Sequence, residues 1–435
     1  MRAARLRDQR RQVCAATLVL AMDQSFDVII VGAGPAGATA AYQLGKVGTR
    51  VLLLDKAAEF PREKPCGGGL SARLLDRFPY VRDFLAAGEV PVNPVSRVHL
   101  QSPDGTRVTY QQAEPILYLI RRWEFDAALF RRAESVCTVH KGVTIRRCVV
   151  KADHVELEST TGELFTAPMV IGADSANSVI ARHTGLRSEA AHKEYAVDMM
   201  EETTYDRLDV ADRESIYLFL TLTETFGYGY IFPKTQHLNL GFGCKLDWYL
   251  KALRGKGAEH HAGWVDTLKR QGDVTGETNP AGYKAFPIPV SGPLAKTYTD
   301  RVLLAGDAGG FVNAFTAEGI FYAMASGSLA ADAALSAIKQ QRYDERQLGG
   351  YQRAWQAEIG SDLQHSVEIQ HRLFNGSGRM DALVCKAKQD PELLRLIIGY
   401  SMGAARYEEL RSHMMRSTVP TWVWGKVKAA VGLSR

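Results

Sequence analysis

The chain is poor in cysteine, and no two cysteines stand close together: Cys14, Cys66, Cys137, Cys148, Cys244 and Cys385 are scattered over 435 residues. Without a C-x-x-C pair, neither a zinc site nor a disulfide framework is expected, and a reducing compartment fits best. The histidines show no H-E-x-x-H or comparable spacing, so no metal is expected, and His260 and His261 in "RGKGAEHHAG" read as part of a solvated loop. An excess of one charge is also lacking. The formal net charge is +5, from 53 Lys and Arg against 48 Asp and Glu, and the basic residues are spread out, which argues against nucleic-acid binding. What remains is an ordinary globular composition, 46% hydrophobic and 23% charged, with mean hydropathy −0.16. A chain this long exceeds what one hydrophobic core organises, so two parts with interleaved segments are expected.

The ends read differently from the middle. Arg2, Arg5, Arg7, Arg10 and Arg11 precede an apolar run from Val13 to Met22 that is too short to span a bilayer. This imitates a signal or transit peptide, but Met22, just before Phe26, could equally be the true start. At the other end, Trp422 and Trp424 beside Lys426 and Lys428 suit either a membrane interface or a short amphipathic tail packed on its own domain.

In between, "FDVIIVGAGPAGATAAYQLGKVGTRVLLLDK" opens with an apolar run suited to a buried parallel strand and turns sharply into a helix of small residues. Gly32 permits the turn, Gly34 lets backbone approach a pyrophosphate, and Gly37 lets the helix lie close against the strand. The second strand ends on Asp55, placed to hold a ribose hydroxyl, with Lys56 next to it. This unit specifies a dinucleotide without choosing between NAD and FAD. Near residue 301, "DRVLLAGDAGGFVNAFTAEGIFYAMASGSLAADAAL" supplies another apolar strand, then Gly306 and Asp307, then a long helix. Asp307 at a carboxyl strand end could accept hydrogen bonds from ribityl hydroxyls. The helix beginning near Glu318 and Gly319 would aim its positive end at a ligand, which suits a reduced flavin.

Together these segments resemble the superfamily of FAD-dependent aromatic hydroxylases, halogenases and geranylgeranyl reductases. "RRWEFDAALFRRA" is similar to its R-x-x-F-D-x-x-L segment, which implies that Arg122 contacts the flavin dinucleotide. "VIGADSANSVIARHTGL" resembles the second acidic fingerprint G-A-D-G-x-x-S, with Asp174 carried over and Ser175 in place of the glycine. Three further stretches resemble the geranylgeranyl reductases. In "PCGGGLS" the resemblance places Cys66 facing the flavin, with Gly67 and Gly68 letting the loop lie on the ring. "YGYIFPKTQHLNLGFG" is similar to their Y-x-W-x-F-P motif followed by G-x-G, with Tyr230 where the tryptophan stands. "YQRAWQAEIGSDLQHSVEIQHRLF" looks like the start of their helical region. "AFTAEGI" carries Ala317 where glycine is more usual. The resemblance spans about Phe26 to Phe374.

It implies an α/β protein: a Rossmann-type FAD-binding domain (26–93, 118–186 and 296–340) with an inserted β-rich substrate domain (94–117 and 187–295). An N-terminal extension (1–25) and a C-terminal helical region (341–435) complete the expected organisation. The implied activity is FAD-dependent saturation of C=C bonds in a polyprenyl group carried by a lipid, diphosphate or quinone. An isolated alkene is not polarised by a carbonyl, so hydride delivery must be matched by a proton at the other carbon. Cys66 is the candidate donor, since a thiol in apolar surroundings stays protonated; a small buried hydrophobe is the alternative. Tyr228, Tyr230 and Phe232 alternate along a strand and share one face, either walling a prenyl chain, with a hydroxyl orienting or relaying a proton, or simply packing. NADPH or ferredoxin is the expected electron donor, and a cytoplasmic location with possible peripheral membrane contact is expected. The rival readings are a flavin-dependent hydroxylase or halogenase of an aromatic substrate and a non-catalytic flavoprotein partner.

Overall fold

The computed structural model describes residues 26–188, 194–220, 227–374 and 378–418. The arginine-rich start and the Trp422–Trp424 tail lie outside the described residues.

The first strand, Val28–Val31, and the second, Val51–Asp55, are buried along their whole length, as continuous apolar runs in a parallel sheet must be. They are central in a six-stranded sheet ordered Tyr298–Thr299, Val302–Leu304, Val170–Gly172, Val28–Val31, Val51–Asp55 and Thr138–Lys141. Every pairing is parallel except that of the edge strand Tyr298–Thr299. One face is covered by the helix Pro35–Gly45 and by the long helix Ile320–Gln340, which meet where Gly327 lies against the backbone of Ala36. By length and composition the long helix could cross a membrane, but 78% of its most apolar window is buried inside the fold, so it is a core helix.

A seven-stranded sheet forms the second part, ordered Lys284–Pro289, Tyr195–Thr204, His237–Lys245, Gly227–Pro233, Ser215–Leu220, Arg97–Gln101 and Arg107–Gln111. Its pairings are antiparallel except that between Ser215–Leu220 and Arg97–Gln101. The helices Arg379–Gln389 and Pro391–Ser401 pack on it, building a second core in which Val98, Leu100 and Ile216 meet Val384, Leu393 and Leu396.

One sequence expectation fails here. His260 and His261 lie not in a solvated loop but on the helix Gly257–Gln271, whose apolar face carries His261, Trp264, Val265 and Leu268 inward. His261 is 2% exposed beside the Leu240 carbonyl, and burial pulls its pKa down to about 4. The helical spacing of those four residues was the signal; the flanking glycines and charges hid it.

Candidate active site

The crevice begins at the glycine turn. Gly32 has φ +100°, and a Cβ there would run into the Ala173 carbonyl, while Gly37 packs its backbone on the Gly32 carbonyl. Asp55 ties this turn in place, accepting from the Ala33 N–H at 2.7 Å and the Ala57 N–H at 2.8 Å. Lys56 follows it, exposed at the cavity wall.

The helix Pro35–Gly45 starts at Gly34 with no side-chain cap, so its first amides face the crevice unsatisfied. Arg62, which the sequence reading missed, reaches over the turn to 3.4 Å from where a Gly34 Cβ would sit. It pairs with Asp126 at 3.5 Å, and its buried Nε has no hydrogen-bond partner among the described residues. Free amides, a helix N-terminus and a partly unsatisfied guanidinium fit a pyrophosphate.

Further along, Asp307 sits in the short turn Gly306–Gly309, its carboxylate lining the cavity without a hydrogen-bond partner among the described residues. Gly319 caps the long helix next to it; a Cβ there would lie 3.8 Å from Asp307 Oδ1. Asp174 also lines the cavity, but its carboxylate is engaged locally. It accepts from Ser178 Oγ at 2.5 Å and from the Val179 and Ile180 amides at 2.7 and 3.2 Å, holding the turn that presents the crevice wall. Ser175 and Ala317, both standing where glycine is usual, take left-handed backbone with φ of 73° and 56°. The glycine-requiring geometry is therefore kept without the glycines, at roughly 1–2 kcal/mol of strain each.

The middle of the cavity is the segment Glu63–Gly69. Cys66 is half-buried and lines the cavity, and its carbonyl accepts from Asn239 Nδ2 at 3.4 Å. Gly68 has φ +72°, and the plane of Gly67 lies against the Phe232 and Tyr230 rings. The thiol is not in wholly apolar surroundings, which corrects the sequence expectation. Arg122, buried and doubly bonded to Asp126 at 2.7 and 2.9 Å, lies within hydrogen-bond reach of it. Lys64 is close by, 2.8 Å from the centre of the Phe286 ring. Burial pulls Lys64 down to about 8, against the opposing pull of Asp307.

Tyr228, Tyr230 and Phe232 do share one face and line the cavity, with neighbouring ring centroids 6.3 and 4.8 Å apart. The G-x-G of the next strand explains how their rings lean over. Tyr230 is in register with Gly241 and Tyr228 with Gly243, so the middle strand carries no side chain opposite either tyrosine. The Tyr230 hydroxyl thereby reaches Asp198 at 3.2 and 3.4 Å, two strands away, while the Tyr228 hydroxyl donates to the Thr316 carbonyl at 2.6 Å. Burial raises Asp198 to about 7, despite the Tyr230 hydrogen bond and the charge of Lys64. The sequence reading missed Asp198 and Lys64. A lone acid in the apolar run "YAVDMM" was the available signal for the first.

Beyond the tyrosines the cavity, about 580 Å³ in all, becomes an apolar slot. Leu218 and Leu220 of the seven-stranded sheet form one side, and Met380, Leu383, Ile397 and Ile398 of the C-terminal helices roof it.

A parallel sheet with an uncapped helix over its glycine turn, opening into the greasy slot beside the seven-stranded sheet, is the frame of a flavoprotein oxidoreductase. The model of the FAD binding domain family matches residues 25–353. A digeranylgeranylglycerophospholipid reductase of Methanococcus vannielii is 27% identical over 368 residues, 80% of this chain and 88% of the relative. Digeranylgeranylglycerophospholipid reductase 1 of Methanopyrus kandleri is 30% identical over 357 residues, 80% of this chain and 90% of the relative. The solved structure of a geranylgeranyl bacteriochlorophyll reductase-like protein from Thermoplasma acidophilum superposes with a TM-score of 0.74 at 21% identity, covering 89% and 95% of the two chains. The chain belongs to the geranylgeranyl reductase family of FAD-dependent oxidoreductases, and FAD is its cofactor.

Proposed function

We propose that this chain saturates C=C bonds of a polyprenyl group, of geranylgeranyl type, carried by a lipid, diphosphate or quinone. The observation that carries the reading is the apolar slot, which runs from the Cys66 loop and the tyrosine strand to a roof of Met380, Leu383, Ile397 and Ile398. A flexible isoprenoid chain is matched by such a lining, and burying it releases roughly 25 cal/mol for each Å² of apolar surface.

When bound, FAD supplies hydride in its reduced form. The protein's own groups do the rest. Arg62 and the Gly34 helix start would hold the pyrophosphate, and Asp307 and the Gly319 helix start would supply a hydrogen-bond acceptor and a positive helix end to the cofactor. The slot excludes water and holds the alkene, and the Cys66 thiol offers the proton for the second carbon. An aromatic hydroxylase or halogenase would not need a long aliphatic slot.

Anaerobic mixing of the reduced, FAD-loaded protein with geranylgeranyl compounds tests this. Flavin reoxidation together with a product heavier by one dihydrogen per saturated bond is expected. Cys66→Ala should keep FAD but slow the reaction. Failure of every polyprenyl compound, with turnover of an aromatic substrate in oxygen, would overturn the reading.

A further inference from the structure

Saturating one double bond consumes one proton, and a thiol holds only one. We infer that Asp198 is the proton store of this site and recharges Cys66 through the Tyr230 hydroxyl, an inference that rests on the reductase reading. In this sequence of transfers the S–H bond of Cys66 breaks as the new C–H bond forms on the substrate. The thiolate then takes the proton of the Tyr230 hydroxyl, which takes that of the Asp198 carboxyl, and Asp198 regains one from water when the slot empties. The two electrons arrive with the hydride, so nothing else is oxidised or reduced.

Four observations support the assignment. Asp198 is the cavity-facing acid hydrogen-bonded to a residue of the tyrosine strand, with Tyr230 Oη 3.2 Å from Oδ2. The reach depends on Gly241: a Cβ there would lie 2.9 Å from the Tyr230 hydroxyl, so the bare strand keeps the path open. Tyr228, the other candidate relay, has its hydroxyl committed to the Thr316 carbonyl at 2.6 Å and leads nowhere. The Cys66 loop lies against the relay, since a Cβ on Gly67 would come 3.4 Å from the Tyr230 ring, and Cys66 and Tyr230 line the same cavity.

Burial holds Asp198 near neutrality, at about 7, so the carboxyl is a proton carrier under ordinary conditions. The titratable groups facing it are Lys64 from the Cys66 loop and Tyr228 and Tyr230 from the next strand but one, while Cys244 and Tyr283 lie behind it on the sheet's other face, packed with Val197 and Trp264. Lys64 stabilises the carboxylate left after transfer.

The test uses the FAD-loaded full chain as wild type, Asp198→Asn and Tyr230→Phe, both variants being close to the native shape. Difference infrared titration without substrate should show a protonated carboxyl band that titrates near neutral pH and vanishes in Asp198→Asn. In anaerobic multiple turnover with a geranylgeranyl compound, the wild-type rate should fall as pH rises through that same transition. Both variants should keep FAD, lose at least about tenfold of the rate on the acid side and lose the pH dependence. Variants with the wild-type rate and profile would overturn the proton store and leave the reductase reading intact, as would a carboxyl that titrates in the ordinary acid range. A wild type inert towards every polyprenyl compound would overturn both.

Discussion

Gly68 and Gly88 have the same backbone conformation, φ +72°, in opposite surroundings, which makes them a matched pair for the Cys66 loop. A Cβ at Gly88 meets nothing within 4 Å, whereas one at Gly68 would fall inside the contact distance of the Ile120 carbonyl oxygen and lie 3.2 Å from Lys234 Nζ. At Gly88, alanine introduces left-handed strain of roughly 1–2 kcal/mol. The stiffer unfolded chain offsets about 0.4–1 kcal/mol of it, so the net loss is about 1 kcal/mol. At Gly68 the same strain is joined by overpacking against backbone, worth about 1–3 kcal/mol more. The clash also pulls on the hydrogen bond from the Ile120 N–H to the Gly68 carbonyl, 2.9 Å long. Gly68→Ala should therefore lose roughly 2–4 kcal/mol and move Cys66 off the cavity wall. Urea midpoints at unchanged slope measure the stabilities, and alkene-dependent flavin reoxidation reports the loop. Equal losses for the two variants, or Gly68→Ala with undiminished turnover, would refute the claim that the glycine is there to bring the loop against the Ile120 strand.

Three other outcomes follow from the same geometry. Ser175→Gly and Ala317→Gly should each raise the thermal midpoint, by roughly 1 kcal/mol or less of added stability, because φ of 73° and 56° suits glycine better; a lowered midpoint would count against strain at these turns. Glu202 is raised by burial but more strongly lowered by Lys234 and Arg121, from 4.5 to about 2. Its stabilisation is present above pH 4.5 and is lost as pH falls through about 2, so Glu202→Gln should lose roughly 3 kcal/mol at neutral pH and flatten the acid-denaturation curve in that window. Ile398→Trp, filling the slot, should cut turnover of the longest polyprenyl compounds first while FAD binding stays unchanged, checked by flavin titration and by a chain-length series.

Local chemistry was the legible part. The turn at Gly32 and Gly34, the acid ending the second strand, and the alternation of Tyr228, Tyr230 and Phe232 each depend on residues within one strand–turn–helix or one strand. Sequence spacing alone therefore specifies them. Arg62, Lys64 and Asp198 were not legible, since each acquires its role from a partner far along the chain: Asp126, Phe286 and Tyr230 respectively.

By itself the amino-acid sequence determined that a dinucleotide-binding crevice exists and which loop carries the thiol. Fold determined what surrounds that thiol. Two cations flank it, a tyrosine leans across a glycine strand to a buried acid, and helices from the far end of the chain roof the slot. The physical reason is that dihedral preferences and strand alternation act between near neighbours, whereas desolvation and side-chain contact depend on which distant segments share one interior.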